Sequence, residues 1–161
     1  FNHLFGKVFP EPRPLLTETA ALPGLDGRKM SKSYHNTIPL SDPPETTRKK
    51  LMQMVTDPGR VRRTDPGNPE VCPVFAYHKI YNAEEVPQID QDCRSAAIGC
   101  VDCKRNLSNK LIATLTPFYE KRAAWASKPQ VVREVLADGA NRARVVAQET
   151  MAEVRAAMKL A

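Results

Sequence analysis

Two groups of residues in this sequence have types and spacings that suit chemistry. The first is Gly27-Arg28-Lys29-Met30-Ser31-Lys32-Ser33-Tyr34, where Lys29 and Lys32 stand three positions apart with Ser31 and Ser33 between and beside them. If Gly24 and Gly27 let the backbone turn sharply, the two ammonium groups can converge on one polyphosphate. Lysine suits that task because a compact charge on a flexible stem follows a phosphate as charge moves. The same residues also describe a solvated basic loop. The second group is Cys72, Cys93, Cys100 and Cys103, all the cysteines in the chain, spaced C-x20-C-x6-C-x2-C. Cys100 and Cys103 can bind one metal from adjacent turns, and Cys93 lies about two helical turns earlier. Four readings stand side by side: independent thiols; disulfides, which a cytosolic setting disfavours; a zinc ion on four thiolates, although such sites usually use two short knuckles; and a 4Fe-4S cluster, which tolerates irregular spacing.

Other charged residues are less specific. Lys104 and Arg105 directly follow the last cysteine, and Arg48-Lys49-Lys50 and Arg60, Arg62 and Arg63 form two further basic concentrations. A net charge of +6, from 24 Lys and Arg against 18 Asp and Glu, favours a polyanionic partner such as nucleic acid. The three histidines, His3, His35 and His78, are too isolated to pair as catalysts by spacing. No apolar run approaches the roughly 20 residues of a membrane span, and the opening FNHLFGKVFPEP lacks a signal-peptide core. A soluble cytoplasmic protein without a membrane partner is expected. Because the first residue is Phe, a portion of a longer protein is expected too.

The elements that position these groups divide the chain by composition. Eleven of the 14 prolines fall in residues 1–73, so the front should be loop-rich and the rear helical. One strand is expected near Leu15 to Leu22. Asp42-Pro43-Pro44-Glu45 reads as a helix start with Asp42 as N-cap, the helix running to about Val55. Short helices follow from Pro73 to Ile80 and from Pro87 to Ala97, the latter closed by Gly99. From Asp102 a long helix should carry Leu107, Leu111, Leu115, Phe118, Arg122 and Trp125 largely on one face, kinked at Pro117. Ser127-Lys128-Pro129-Gln130 reads as a capping box opening a helix that Gly139 ends. A last helix should bury Ala143, Val146, Ala147, Met151, Val154 and Met158.

The string Lys29-Met30-Ser31-Lys32-Ser33 resembles the signature loop of class I aminoacyl-tRNA synthetases, which closes over ATP and stabilises departing pyrophosphate. The wider stretch LPGLDGRKMSKSYHNTIPL, with FNHLFGKVFPEP before it and TDPGRVRRTDPGNPEVCPVF after it, is similar to bacterial tryptophanyl-tRNA synthetases. Tyrosyl-tRNA synthetase is the nearest competitor, and the context of Thr56-Asp57-Pro58 and Asp65-Pro66-Gly67 favours the tryptophan enzymes. The resemblance implies a mainly α fold: residues 1–41 as the loop-rich end of a Rossmann-type catalytic domain whose sheet is largely absent, and residues 42–161 as a helical anticodon-binding domain. It implies ATP binding by Lys29, Met30, Ser31, Lys32 and Ser33, with Lys29 and Lys32 catalytic, and weaker backbone contact to adenine at Ala20. It implies activation of tryptophan to tryptophanyl-adenylate with Mg2+ on the phosphates, transfer to tRNA(Trp), and a homodimer.

The other class I signature, His-x-Gly-His, is nowhere in the sequence. The tryptophan pocket then belongs to a missing N-terminal part, and this chain alone should be inactive. A subset of these enzymes carries a similar four-cysteine pattern, with a slightly longer first gap, around a 4Fe-4S cluster. The resemblance therefore favours a cluster on Cys72, Cys93, Cys100 and Cys103, with Zn2+ as the alternative, and Lys104 and Arg105 held where RNA meets them. A non-catalytic RNA-binding module and a small electron carrier remain the readings from other classes.

Overall fold

The computed structural model describes residues 1–17, 19 and 21–160. Six α-helices are formed among them: α1 Asn2–Phe5, α2 Pro44–Gln53, α3 Pro73–Tyr81, α4 Val86–Arg94, α5 Cys100–Ala126 and α6 Pro129–Ala157. Short 3-10 turns at Lys32–Tyr34, Pro69–Val71 and Ala83–Glu85 link them. The fold is mainly α, as the sequence implies. The described residues form no strand where one was expected near Leu15 to Leu22, and only an isolated bridge joins Pro23 to Lys29. A strand needs a partner edge. Here Leu15 and Leu16 are 98% and 85% exposed instead.

Two compact units result, Glu18–Lys121 and Phe1–Thr17 with Arg122–Ala161. In the first, the apolar positions of α2, α3 and α5 meet. Leu51, Met54, Val74, Tyr77, Leu107, Leu111 and Leu115 form the core, and Leu22, Leu25, Met30, Ile38, Cys72 and Cys103 are among the side chains packed on it. The i, i+4 spacing of Leu107, Leu111 and Leu115 puts them on one face of α5. That stripe stops at Leu115. Phe118 and Trp125 are 59% and 51% exposed.

Helix ends differ from the sequence reading in several places. Pro44 and Glu45 open α2 as expected, but Asp42 does not cap it; its carboxylate takes a hydrogen bond and ion pair from Lys50 Nζ at 2.6 Å. A charged partner outcompetes a backbone N–H for that oxygen. The turn after α4 is made by Ala96 at φ 59°, not by Gly99, and α5 begins two residues before Asp102 and continues through Pro117.

The second unit contains α1, the end of α5 and α6. Asn2 ties its own segment by donating to Phe9 O and accepting from the N–H groups of Val8 and Phe9, and the Phe1 ring packs on those of Phe5 and Phe9 with centroids 5.0 and 5.1 Å away. The expected capping box is not made, because Ser127 Oγ donates back to Ala124 O and no side chain caps α6. Gly139 does not end a helix: the 29-residue α6, Pro129–Ala157, passes through it. Of the stripe expected to be buried, only Val154 is, while Val146, Met151 and Met158 are 63%, 46% and 37% exposed.

Candidate functional site

The lysine loop is built on one buried side chain. Asn36, 3% exposed, accepts from Ser31 N–H at 2.8 Å through Oδ1 and donates through Nδ2 to Asp26 Oδ1 at 2.7 Å and, more weakly, to Lys29 O at 3.3 Å. Its own carbonyl accepts from Leu25 N–H. The tight approach explains Gly24: a Cβ there would lie 2.2 Å from Asn36 Nδ2. Gly27, at φ 80°, supplies the left-handed turn. Hydrogen bonds from Asn36 and then Arg28 hold the Asp26 carboxyl below the usual carboxylate range.

The cations of the loop do different things. Arg28 pairs with Asp26 at 2.6 Å and lies over the Tyr34 ring at 4.5 Å. Lys29 and Lys32 are exposed and have no ion pair among the described residues. Ser31 Oγ and Ser33 Oγ are 2.9 Å apart and share a hydrogen bond. Met30, between the two lysines, packs on the helical core. The loop thus presents two unpaired ammonium groups from a backbone fixed at Lys29 and Ser31, an arrangement suited to a polyphosphate. Ala20, expected to offer a backbone contact, lies outside the described residues.

The four cysteines come together. Cys72 precedes α3, Cys93 lies in the last turn of α4, and Cys100 and Cys103 sit one turn apart at the start of α5. All four line one cavity of about 20 Å³, with Arg60 and Val74. None is in a disulfide. Burial, reinforced by the neighbouring thiols, pushes the Cys103 thiol up to about 12, and burial raises Cys93 as well, while the Arg60 charge opposes both shifts. His78 is wholly buried beside them: Nε2 faces Cys103 O at 3.3 Å and Cys103 Sγ at 3.4 Å, and Nδ1 faces Asn82 Nδ2 at 3.2 Å. Its burial lowers the imidazole pKa, which favours the neutral ring. No group of three or more His, Cys, Asp or Glu side chains among the described residues is arranged to hold a single metal ion. Neither the cluster expected on these cysteines nor its zinc alternative therefore has support in this geometry.

Comparison with known proteins places this arrangement. The family model described as tRNA synthetases class I (W and Y) matches residues 1–116. The chain belongs to this family. It is 49% identical over 99% of its length to a tryptophan–tRNA ligase of Aquifex aeolicus, of which it covers 41%, and 46% identical over 99% of its length to that of Thermotoga maritima, of which it covers 49%. Its fold matches the crystal structure of tryptophanyl-tRNA synthetase from Campylobacter jejuni complexed with ADP and tryptophan, with a TM-score of 0.78 and 30% identity over 99% of this chain and 50% of that one. The chain thus spans about half the length, or less, of the curated relatives it matches.

In this class I synthetase chain the other basic candidates are mostly tied to the protein. Lys104 Nζ donates to Met52 O at 3.1 Å, and Arg105 pairs with Asp102 at 2.7 Å while remaining exposed. Arg63 donates to Ala96 O and Ala97 O, and Arg60 to Arg63 O and Ile98 O. These two arginines bind carbonyls of the turn that follows α4. Arg62 is exposed. Two residues central to the site, Asn36 and Arg60, carried no sequence signal of their role. Both act through buried contacts between segments, which neither motif nor periodicity encodes.

Proposed function

We propose that the chain is the C-terminal part of a bacterial tryptophan–tRNA ligase that uses ATP to make tryptophanyl-adenylate and then esterifies tRNA(Trp). In that reaction the tryptophan carboxylate oxygen bonds to the α-phosphorus, the bond to the β-phosphate oxygen breaks, and pyrophosphate leaves with the electron pair. Lys29 and Lys32 meet the growing charge on the leaving phosphates, with Lys32 dominant, and Met30, Ser31 and Ser33 complete the ATP contact. Mg2+ bound to the phosphates supplies further charge neutralisation. The observation that carries this reading is the pair of unpartnered lysines on a loop braced by Asn36, in a chain close to half of each ligase relative. Functionally, residues 1–41 serve catalysis and residues 42–161 serve anticodon recognition, with Lys104 and Arg105 near the RNA. The whole enzyme works as a cytoplasmic homodimer. This chain, without a His-x-Gly-His sequence, makes no adenylate alone.

The four cysteines hold a 4Fe-4S cluster in this reading. What supports it is the donor set: four thiols, from segments far apart in sequence, on one cavity. Cys72, Cys93, Cys100 and Cys103 would be the residues that hold such a group, each through its thiolate. The space these thiols line, about 20 Å³, is smaller than a four-iron core. The cluster would act structurally, fixing the starts of α3 and α5.

The test of the enzymatic reading is Lys32→Ala in the full-length ligase. Pyrophosphate exchange with tryptophan should fall on the order of a hundredfold or more, the loss typical when one transition-state charge contact is removed, while tryptophan binding stays nearly unchanged. Equal losses in both, or exchange that depends on tyrosine, would overturn it. RNA binding with no exchange under any condition would favour a non-catalytic module.

A further inference from the structure

The lysine loop stands on a platform that the helices hold. The buried Tyr77 of α3 donates its hydroxyl to Pro23 O at 2.8 Å, and Val55 N–H, just past α2, donates to Leu25 O at 2.9 Å. Lys50 of α2 donates to Thr37 O at 3.4 Å. Between these anchors, Leu25 N–H donates to Asn36 O at 2.9 Å. His35, at φ 52°, reverses the chain after the 3-10 turn Lys32–Tyr34, a backbone region uncommon for a residue with a side chain. The reversal returns Asn36 beneath the loop it follows, where its carboxamide accepts from Ser31 N–H and donates to Asp26. Met30 N–H donates to Leu22 O at 3.3 Å. The two residues before Lys32 are therefore tied down, and one buried side chain joins the second of them to the platform.

We propose that Asn36 is a positioning residue for adenylate formation, its carboxamide fixing the backbone at Ser31 so that the Lys32 ammonium stands where charge develops on the leaving pyrophosphate. This rests on the reading of Lys32 given above and extends it to a residue that touches no substrate. A charge lowers a barrier most when it is already in place before reaction. Lys32 has no ion pair among the described residues, and its stem is flexible, so the backbone from which it springs is the part the protein fixes. A misplacement of about 1 Å at a reacting group can slow a reaction about a hundredfold. The carboxamide suits this place because it accepts from an N–H and donates to a carboxylate at once. An Asp would keep the first bond and set its other oxygen against Asp26, and a longer Gln has no room where Gly24 must lack a Cβ.

The experiment measures pyrophosphate exchange with tryptophan, beside urea unfolding, in the full-length ligase as wild type, Asn36→Ala, Asn36→Asp and Lys32→Ala, and with each Asn36 change placed on Lys32→Ala. Ile89→Ala is the control for lost stability alone, a buried truncation on α4 outside the core on which Met30 packs. In Asn36→Ala, kcat is expected to fall at least about tenfold with KM for tryptophan within about twofold of wild type. Asn36→Asp, which keeps the size and the acceptor, loses less, at least about threefold. Ile89→Ala changes kcat by less than about twofold, since its site is remote from the loop. On Lys32→Ala, either Asn36 change costs less than about twofold more, because residues acting as a unit are not additive. Wild-type kcat in a folded Asn36→Ala would overturn the assignment, and in Asn36→Asp would do so should Asn36→Ala not fold. The same loss with and without Lys32, or a matching loss in Ile89→Ala, would also overturn it. Each of these leaves the role of Lys32 standing. No loss in Lys32→Ala would overturn the reading of the loop itself.

Discussion

Asn36 buries its carboxamide beneath the lysine loop and uses both ends of it. Replacing it with Ala leaves the Ser31 N–H without its acceptor and takes one of its donors from the Asp26 carboxylate, so Asn36→Ala should lose about 1–3 kcal/mol of stability in urea unfolding. Lys32→Ala should leave the urea midpoint unchanged, because that ammonium has no partner among the described residues to lose. The two variants thus separate the bracing of the loop from its chemistry. Glu85 offers a second residue-scale test. Hydrogen bonds from Lys110, Asn106 and Asn82 lower its pKa from 4.5 to about 2. A carboxylate depressed in the folded state adds stability that is complete above the unfolded value and is lost as pH falls through the folded one. The wild type should therefore lose stability between pH 4.5 and about 2, and Glu85→Gln should narrow the difference between urea midpoints at about pH 7 and about pH 3. The side chain is 40% exposed, so solvent screens much of the effect.

Among the elements, α6 shows where pattern and structure part. Gly139 follows an amphipathic run, and its type suggests a helix end, yet α6 passes through it. Glycine stops a helix when the chain needs a left-handed turn there, and nothing in this segment requires one. A Cβ at Gly139 would meet nothing within 4 Å. Gly139→Ala should therefore stabilise the chain by about 0.5–1 kcal/mol, read as a rise in Tm, since it removes unfolded-state freedom without a clash. The starts of α2 and α3 were legible because proline at the first helical position is a local rule, independent of the rest of the fold. The capping roles of Asp42 and Ser127 were not, because each oxygen or hydroxyl found a competing partner through space. The same distinction holds at the cysteine cavity. Spacing brought Cys93, Cys100 and Cys103 into view as a group, but the return of Cys72 to them depends on how α3 packs.

At the scale of the whole molecule, one core serves both candidate sites. Leu107, fully buried on α5, belongs to the cluster against which Met30 packs from the lysine loop and Cys72 and Cys103 from the thiol cavity. Leu107→Ala should cost about 2–5 kcal/mol by denaturant unfolding, and a loss well under that range would mean the site relaxes freely. Periodicity showed Leu107, Leu111 and Leu115 as a buried stripe because their partners lie within this chain. The stripe proposed on α6 read the same way in sequence and is largely exposed, since periodicity reports that a face is apolar and not what covers it.

Met30 sits between the two lysines with its thioether among the helical side chains. A segment moored at its midpoint cannot travel as a free tether. Any swing toward a nucleotide must either pivot about that sulfur or pull it out, so the firmness of the helical layer sets how readily the two ammonium groups advance.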